Sequence, residues 1–239
     1  HSTDPVLSCL GSQYAGWSLS FVQNDDNFSA LGSGPCRAIA GKEDIFKDIG
    51  YKDKFFSTVV VLEVDQKPPQ EIIDKVVTDC DISEKNLTVI LTPTRSLCGT
   101  TQVVGRVLEV GLHKVHELGF PIDKVVDGFG SAPLPPPAPD FLIGMGRTND
   151  AILYGGLVHL YVDTPNDDAE ELAKRLPSST SKDYGKPFAD IFKEYKYDFY
   201  QIDKMLFSPA KVIVSSLKTG KSYTSGNIDL SLMDNSFNK

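Results

Sequence analysis

Along Gly99–Pro121, GTTQVVGRVLEVGLHKVHELGFP, apolar side chains recur at 104, 107, 108, 112, 115 and 118, with Gly111 on the same stripe. That three-and-four spacing predicts one amphipathic helix. Thr100 or Thr101 can cap its start, and Gly119 followed by Pro121 stops it. Arg106, Glu109, His113 and His116 fall on the opposite face. Spacing by itself makes Arg106 and Glu109 a solvated i,i+3 ion pair worth about 0.2–0.5 kcal/mol. Upstream, the apolar runs Phe55–Val64 and Leu87–Leu91 predict strands and QEIIDKVVTDC a helix between them. This is a β-α-β unit with a parallel, right-handed crossover. The polar loop TPTRSLCGTT then joins the second strand to the long helix, an arrangement that can turn backbone N–H groups toward a ligand.

Elsewhere the pattern is more broken. Leu7–Leu10 predicts a short strand, followed by the turn-prone GSQYAGW. Gly32-Ser33-Gly34-Pro35 is a loop before a helix from about Ala38, readable as a tight turn or as an anion cradle. It lacks the Gly-Lys-Ser/Thr ending of a P-loop and the third glycine of a dinucleotide fingerprint. Residues 125–141 hold five prolines and predict a stiff extended loop, either walling a pocket or strapping the surface. GRTND (146–150) lies between two apolar runs and predicts a hairpin turn. LVHLYV predicts a strand that packs His159 structurally, Asp167–Leu176 and Pro187–Tyr195 predict helices, and Lys211–Leu217 with Ser222–Thr224 predicts a closing hairpin.

Composition narrows the classes. A chain of 239 residues with 41% apolar and 23% charged side chains is an ordinary globular protein. A net charge of −8 argues against general nucleic-acid or anionic-membrane binding. No apolar run reaches the roughly 18 residues of a membrane span, and no signal peptide is visible, so the expected compartment is the cytoplasm. Cys9, Cys36, Cys80 and Cys98 are scattered, with no CxxC pair and no histidine at ligand spacing. They read as reduced thiols, and no metal site is expected.

Five blocks carry a resemblance: GSQYAGW (11–17), GSGPxRA (32–38), TQVVGRVLEVGLHK (101–114), DGFGSAPLPP (127–136) and GRTNDAILYGG (146–156). In this order they resemble the methenyltetrahydromethanopterin cyclohydrolases, from about residue 4 to the Lys218-Thr219-Gly220 turn. The chain starts at His1 and departs from the family by lacking its N-terminal segment, and Cys36 stands where alanine is expected. The resemblance implies a two-lobed α/β architecture of mixed sheet and helix, with the ligand in a cleft between the lobes. On that reading a first lobe runs over 1–145 and a second over 146–239. It also implies a homotrimer, no permanently bound cofactor, and a tetrahydromethanopterin derivative as substrate.

The implied reaction is reversible hydrolysis of the methenyl bridge, with Glu109 matching the family's catalytic glutamate and Arg106 its arginine partner. A carboxylate can take a proton from water and return it to the departing nitrogen, while the guanidinium orients it. Gln13, Gly32, Ser33, Gly34, Ser131, Arg147, Asn149 and Asp150 are the expected substrate-binding residues. By their chemistry, Asn149 and Asp150 suit a pterin's donor–acceptor edge, and Ser33 with its neighbouring glycines, or Arg147, suits an anionic tail. The competing readings are another pterin one-carbon enzyme, such as a formyl transferase, and a non-catalytic pterin-binding module.

Overall fold

The computed structural model describes residues 1–23 and 26–238. The chain opens with a two-residue strand, β1 (Ser2–Thr3), and a five-residue π-helical turn, Val6–Leu10, in place of the short strand expected over Leu7–Leu10. It divides into two compact units, Leu7–Thr94 and a larger one comprising Arg95–Lys239 with His1–Val6. The expected boundary at 145/146 therefore moves to 94/95. The reason is local: residues 145 and 146 lie within one continuous helix.

In the smaller unit, α1 (Gly11–Gln13) leads into β2 (Trp17–Gln23), β3 (Asp26–Ser33), α2 (Cys36–Ala40), α3 (Ile45–Ile49), β4 (Thr58–Leu62), α4 (Gln70–Cys80) and β5 (Leu87–Leu91). The sheet order is β2-β3-β4-β5. β4 and β5 pair in parallel, Thr58 opposite Leu87 through Leu62 opposite Leu91, as the β-α-β pattern predicts. β2 and β3 form an antiparallel hairpin from Trp17 opposite Gly32, which the reading of the sequence did not anticipate. Trp17, Leu19, Phe28, Val60 and Leu62 bury one sheet face against Ile72 and Val76 of α4 and Ile39 of α2.

The larger unit holds α5 (Leu97–Val104), α6 (Val107–Glu117), β6 (Val125–Ser131), α7 (Phe141–Leu153), β7 (Leu157–Val162), α8 (Asn166–Arg175), α9 (Phe188–Glu194), β8 (Lys211–Ser216), β9 (Ser222–Gly226) and α10 (Leu230–Phe237). Its sheet order is β1-β6-β7-β8-β9, mixed, with β7 and β8 parallel and the other pairs antiparallel. Two expectations change here. VVDGFGS is a sheet strand rather than loop, because its glycines serve close packing: a Cβ on Gly128 or Gly130 would stand 2.9 Å from Leu108 or Val107 of α6. GRTND is helical, inside α7, not a hairpin turn, because its polar side chains find partners within the fold.

Candidate active site

The single helix expected over 99–121 is two. Ser96, not Thr100 or Thr101, caps α5 by accepting the Gly99 N–H at 3.0 Å. At Gly105 and Arg106 the N–H groups bond back to Thr101 and Val103 carbonyls at 2.8 and 3.1 Å. Arg106 has φ −87° and ψ 9°, outside the helical well, and is the N-cap residue of α6. A new helix then starts, its first bond running from Val110 N–H to the Arg106 carbonyl at 2.8 Å. Gly119, with φ +73°, ends α6 close to where the sequence placed the stop.

This break changes what Arg106 and Glu109 are. Glu109 is the third residue of α6 and only 3% exposed, so the solvated-pair reading from spacing is corrected. It sits in the first turn, where the unpaired N–H groups and aligned peptide dipoles favour a negative charge. Arg106 Nε donates to the Gln102 carbonyl at 3.2 Å, and Nη2 to Gln102 Oε1. Gln102, which periodicity did not single out, thus fixes the guanidinium from one turn upstream. Leu108 and Val107, wedged over Gly128 and Gly130, press the same turn onto β6.

The far half of α6 is tied by a second unanticipated residue. Lys114 is fully buried, and its Nζ donates to the Pro177 carbonyl at 2.7 Å, the Met205 carbonyl at 2.7 Å and Thr180 Oγ1 at 2.9 Å. Burial pulls the ammonium down to about 7, against the pull of the Asp203 charge. Burial likewise lowers His113, while Glu117 acts in the opposite direction. His159 fits its structural expectation, its ring stacked on Tyr161 and bonded through Nε2 to Ser215 Oγ at 2.8 Å.

The expected binding residues separate into groups. Asp150 has 0% exposure; its carboxylate accepts the Phe188 N–H at 2.9 Å and Ser236 Oγ–H at 2.6 Å, joining α7 to α9 and α10. Asn149 donates from Nδ2 to the Met145 carbonyl, 2.9 Å away in its own helix. Arg147 is half-buried, and its Nη1 donates to the Pro136 and Pro137 carbonyls at 3.1 and 3.3 Å, bracing the proline-rich stretch. Ser131 is exposed at the end of β6, and α5 packs against α7. In the smaller unit the anion-cradle reading of Gly32-Ser33-Gly34 is corrected. The Gly34 N–H goes to the Ser12 carbonyl at 2.7 Å and Ser33 Oγ–H to the Gln13 carbonyl at 3.0 Å. The helix beyond is only five residues long. Gln13 is half-buried at the end of α1. Among the described residues no group of three or more His, Cys, Asp or Glu is placed to hold a metal ion. No described helix is long and apolar enough to cross a membrane.

Glu109 is thus a buried carboxylate in the first turn of α6, and Arg106, three residues before it, is held by Gln102 from the preceding turn. The chain belongs to the cyclohydrolase family: the model described as Cyclohydrolase (MCH) matches residues 1–237. Three similar proteins are each named methenyltetrahydromethanopterin cyclohydrolase. That of Methylobacillus flagellatus is 61% identical over 237 residues, 99% of this chain and 71% of the relative. The Methylobacterium organophilum protein is 54% identical, over 99% of this chain and 73% of its own length. The Methanothermobacter marburgensis protein is 45% identical, over 98% and 72% respectively.

Proposed function

We propose that this chain hydrolyses the methenyl bridge of 5,10-methenyltetrahydromethanopterin, reversibly, to the 5-formyl product, with Glu109 as acid–base group and Arg106 as its positioning partner. The substrate is an amidinium-like cation, N5=C–N10, electrophilic without further activation. Water oxygen bonds to the methenyl carbon, and one of its protons passes to the Glu109 carboxylate. The C–N10 bond then breaks, and N10 takes the proton held by Glu109. The remaining hydroxyl becomes the formyl carbonyl as its proton leaves to solvent. One cation and one water thus give a neutral product and one proton. The fixed carboxylate also stabilises the cationic ground and early transition states electrostatically.

The observation that carries this reading is the burial of Glu109 to 3% exposure in the first turn of α6, three residues after an arginine held by Gln102. A carboxylate there has an anion-favouring helix end and a restricted approach for solvent. Arg147 and Asn149 on α7 and Ser131 on β6 are proposed to contact the pterin or its anionic tail. Asp150 is better read as the clamp of α7 to α9 and α10, since its two oxygens face donors inside the fold. The enzyme works in one-carbon metabolism, in the cytoplasm and as a homotrimer, with no resident cofactor. Loss of the methenyl chromophore on adding the protein alone, with no nucleotide, tests the activity. A requirement for a nicotinamide or deazaflavin would indicate a dehydrogenase, and binding without absorbance loss would indicate a non-catalytic module. Sedimentation at micromolar concentration giving only monomer would contradict the trimer.

A further inference from the structure

Hydrolysis of the methenyl cation releases one proton, yet Glu109 is only 3% exposed. Along α6 the positions four and eight residues further on are His113 and Glu117. That spacing sets the three side chains in a row on one face of the helix, one turn apart. Exposure rises along the row: Glu109 is buried, the His113 side chain is 20% exposed and that of Glu117 26%. Helical side chains lean toward the N-terminus of their helix, so the imidazole leans toward the turn of Glu109, and Glu117 toward the imidazole. His113 Nε2 stands 3.9 Å from Glu117 Oε1, within reach of one bridging water. Glu117 Oε2 lies 3.5 Å from Lys204 Nζ, whose side chain is 69% exposed.

A half-buried histidine needs more than its place in a row to carry protons: it must also be neutral at working pH. Burial is the largest influence on the ring and lowers its proton affinity, as His116 and Lys204 do, while Glu117 raises it. The other elements packed on α6 add little charge. β6 and β7 meet it through Gly128, Gly130 and Val158. Asp123 and Lys124, in the turn before β6, pair with each other at 3.0 Å. Asp203 accepts the Ser181 Oγ–H and the Met205 N–H. The imidazole is therefore neutral at pH 7 and ready to accept a proton.

We infer that His113 is the proton-relay residue of the hydrolysis, passing the released proton from Glu109 toward Glu117 and solvent. This rests on the reading of Glu109 as the acid–base group. Once Glu109 has given the first proton to N10, its carboxylate takes the second from the hydroxyl on the former methenyl carbon, and the formyl C=O forms. The protonated carboxyl hands that proton to the neutral imidazole, and the imidazolium gives it up to water beside Glu117. Glu109 and His113 end as they began, with one proton released for each cation and water consumed. In the reverse direction the same row brings the proton in. His113 acts only through Glu109 and leaves substrate binding alone.

Steady-state kinetics of the full chain on the methenyl substrate at pH 7, in dilute buffer free of imidazole, decides the matter. In His113→Ala kcat falls about tenfold, less than the roughly 10²–10⁴ of a general base because the carboxylate still does the chemistry, and KM stays within about twofold. Imidazole added at fixed pH and ionic strength restores kcat of His113→Ala to within about twofold of wild type, and leaves wild type and Glu109→Gln unchanged. If His113→Ala does not fold, His113→Gln, which keeps the volume, carries the test by the same rise of kcat with imidazole. Wild-type kcat in His113→Gln, or a loss that imidazole does not relieve, overturns the inference while the reading of Glu109 stands. Wild-type turnover in Glu109→Gln removes the reading beneath it, and the inference with it.

Discussion

Lys114→Met is the perturbation whose consequence can be worked furthest from the geometry. The wild-type ammonium has three N–H donors and three acceptors at 2.7–2.9 Å, yet no exposure to water. Burial lowers it from 10.5 to about 7. A base whose folded value lies below its unfolded value binds fewer protons in the fold, so stability rises with pH between the two values. Below pH 7 the amine is charged in both states, and the fold carries the whole burial cost, roughly 5 kcal/mol at about 1.4 kcal/mol per unit. Between pH 7 and 9 roughly 2–3 kcal/mol of that cost is relieved. Methionine keeps the length and removes the titration, at the loss of three hydrogen bonds worth about 1 kcal/mol each.

The wild type minus variant difference isolates this one group, since Cys36, Cys80 and Tyr154, all pushed up by burial, titrate equally in both. Urea unfolding should be followed by far-UV circular dichroism or by amide exchange in α6. Tryptophan fluorescence would miss the effect, because the chain's one tryptophan, Trp17, belongs to the smaller unit. The variant should equal or exceed wild-type stability at pH 6, and its stability relative to the wild type should drop by roughly 2–3 kcal/mol between pH 6 and pH 9. A difference constant within about 0.5 kcal/mol across that range would refute the reasoning, and would mean that the three acceptors hold the ammonium charged throughout.

Three further outcomes follow from the same contacts. Gly130→Ala places a Cβ 2.9 Å from Val107 and 3.1 Å from the Leu108 backbone nitrogen. It should cost about 1–3 kcal/mol by overpacking and lower kcat by displacing the turn that carries Glu109, both readable from urea melts and steady-state rates. Asp150→Asn should destabilise the fold by about 1–3 kcal/mol, since one of the two donors at its carboxylate loses an acceptor, while KM of the folded enzyme stays at the wild-type value. A KM increase there would return Asp150 to the substrate. Prolonged treatment with a strong chelator should leave turnover unchanged, and loss of activity restored by one added metal would contradict the metal-free mechanism.

How much of this was legible in the sequence depended on where each residue's partners lie. The parallel pair β4–β5 and the intervening α4 were legible because Thr58–Leu62 and Leu87–Leu91 are rich in β-branched and apolar residues with a periodic helix between them. The β2–β3 hairpin was missed although Trp17, Leu19 and Phe21 alternate with Ser18 and Ser20, because the turn-prone GSQYAGW and the Gly-Ser-Gly stretch at its two ends read as loop. In β6 the glycines that admit Leu108 and Val107 looked like loop residues, because close packing leaves no hydrophobic trace. GRTND looked like a turn because its polar side chains find acceptors and donors at Met145, Pro136, Phe188 and Ser236, none visible from composition. The Arg106–Glu109 block was recognisable by resemblance. Its burial was not, because the stripe at Val107, Leu108, Gly111, Leu112 and Val115 is buried as periodicity assumes, and the covering of Glu109 on another face comes from elements remote in sequence. Lys114 lay within a recognised block, yet a buried cation is defined by distant carbonyls and no local pattern announces it.

The most direct test of the account is kcat of Glu109→Gln on the methenyl substrate, followed by chromophore loss in the folded variant. Glutamine keeps the size and hydrogen-bonding reach of the side chain but cannot accept a proton from water. Turnover should fall by about 10²–10⁴, the worth of a positioned general base, with the substrate still bound and the fold intact. Hydrolysis at the wild-type rate would contradict the assignment of Glu109 as the acid–base group.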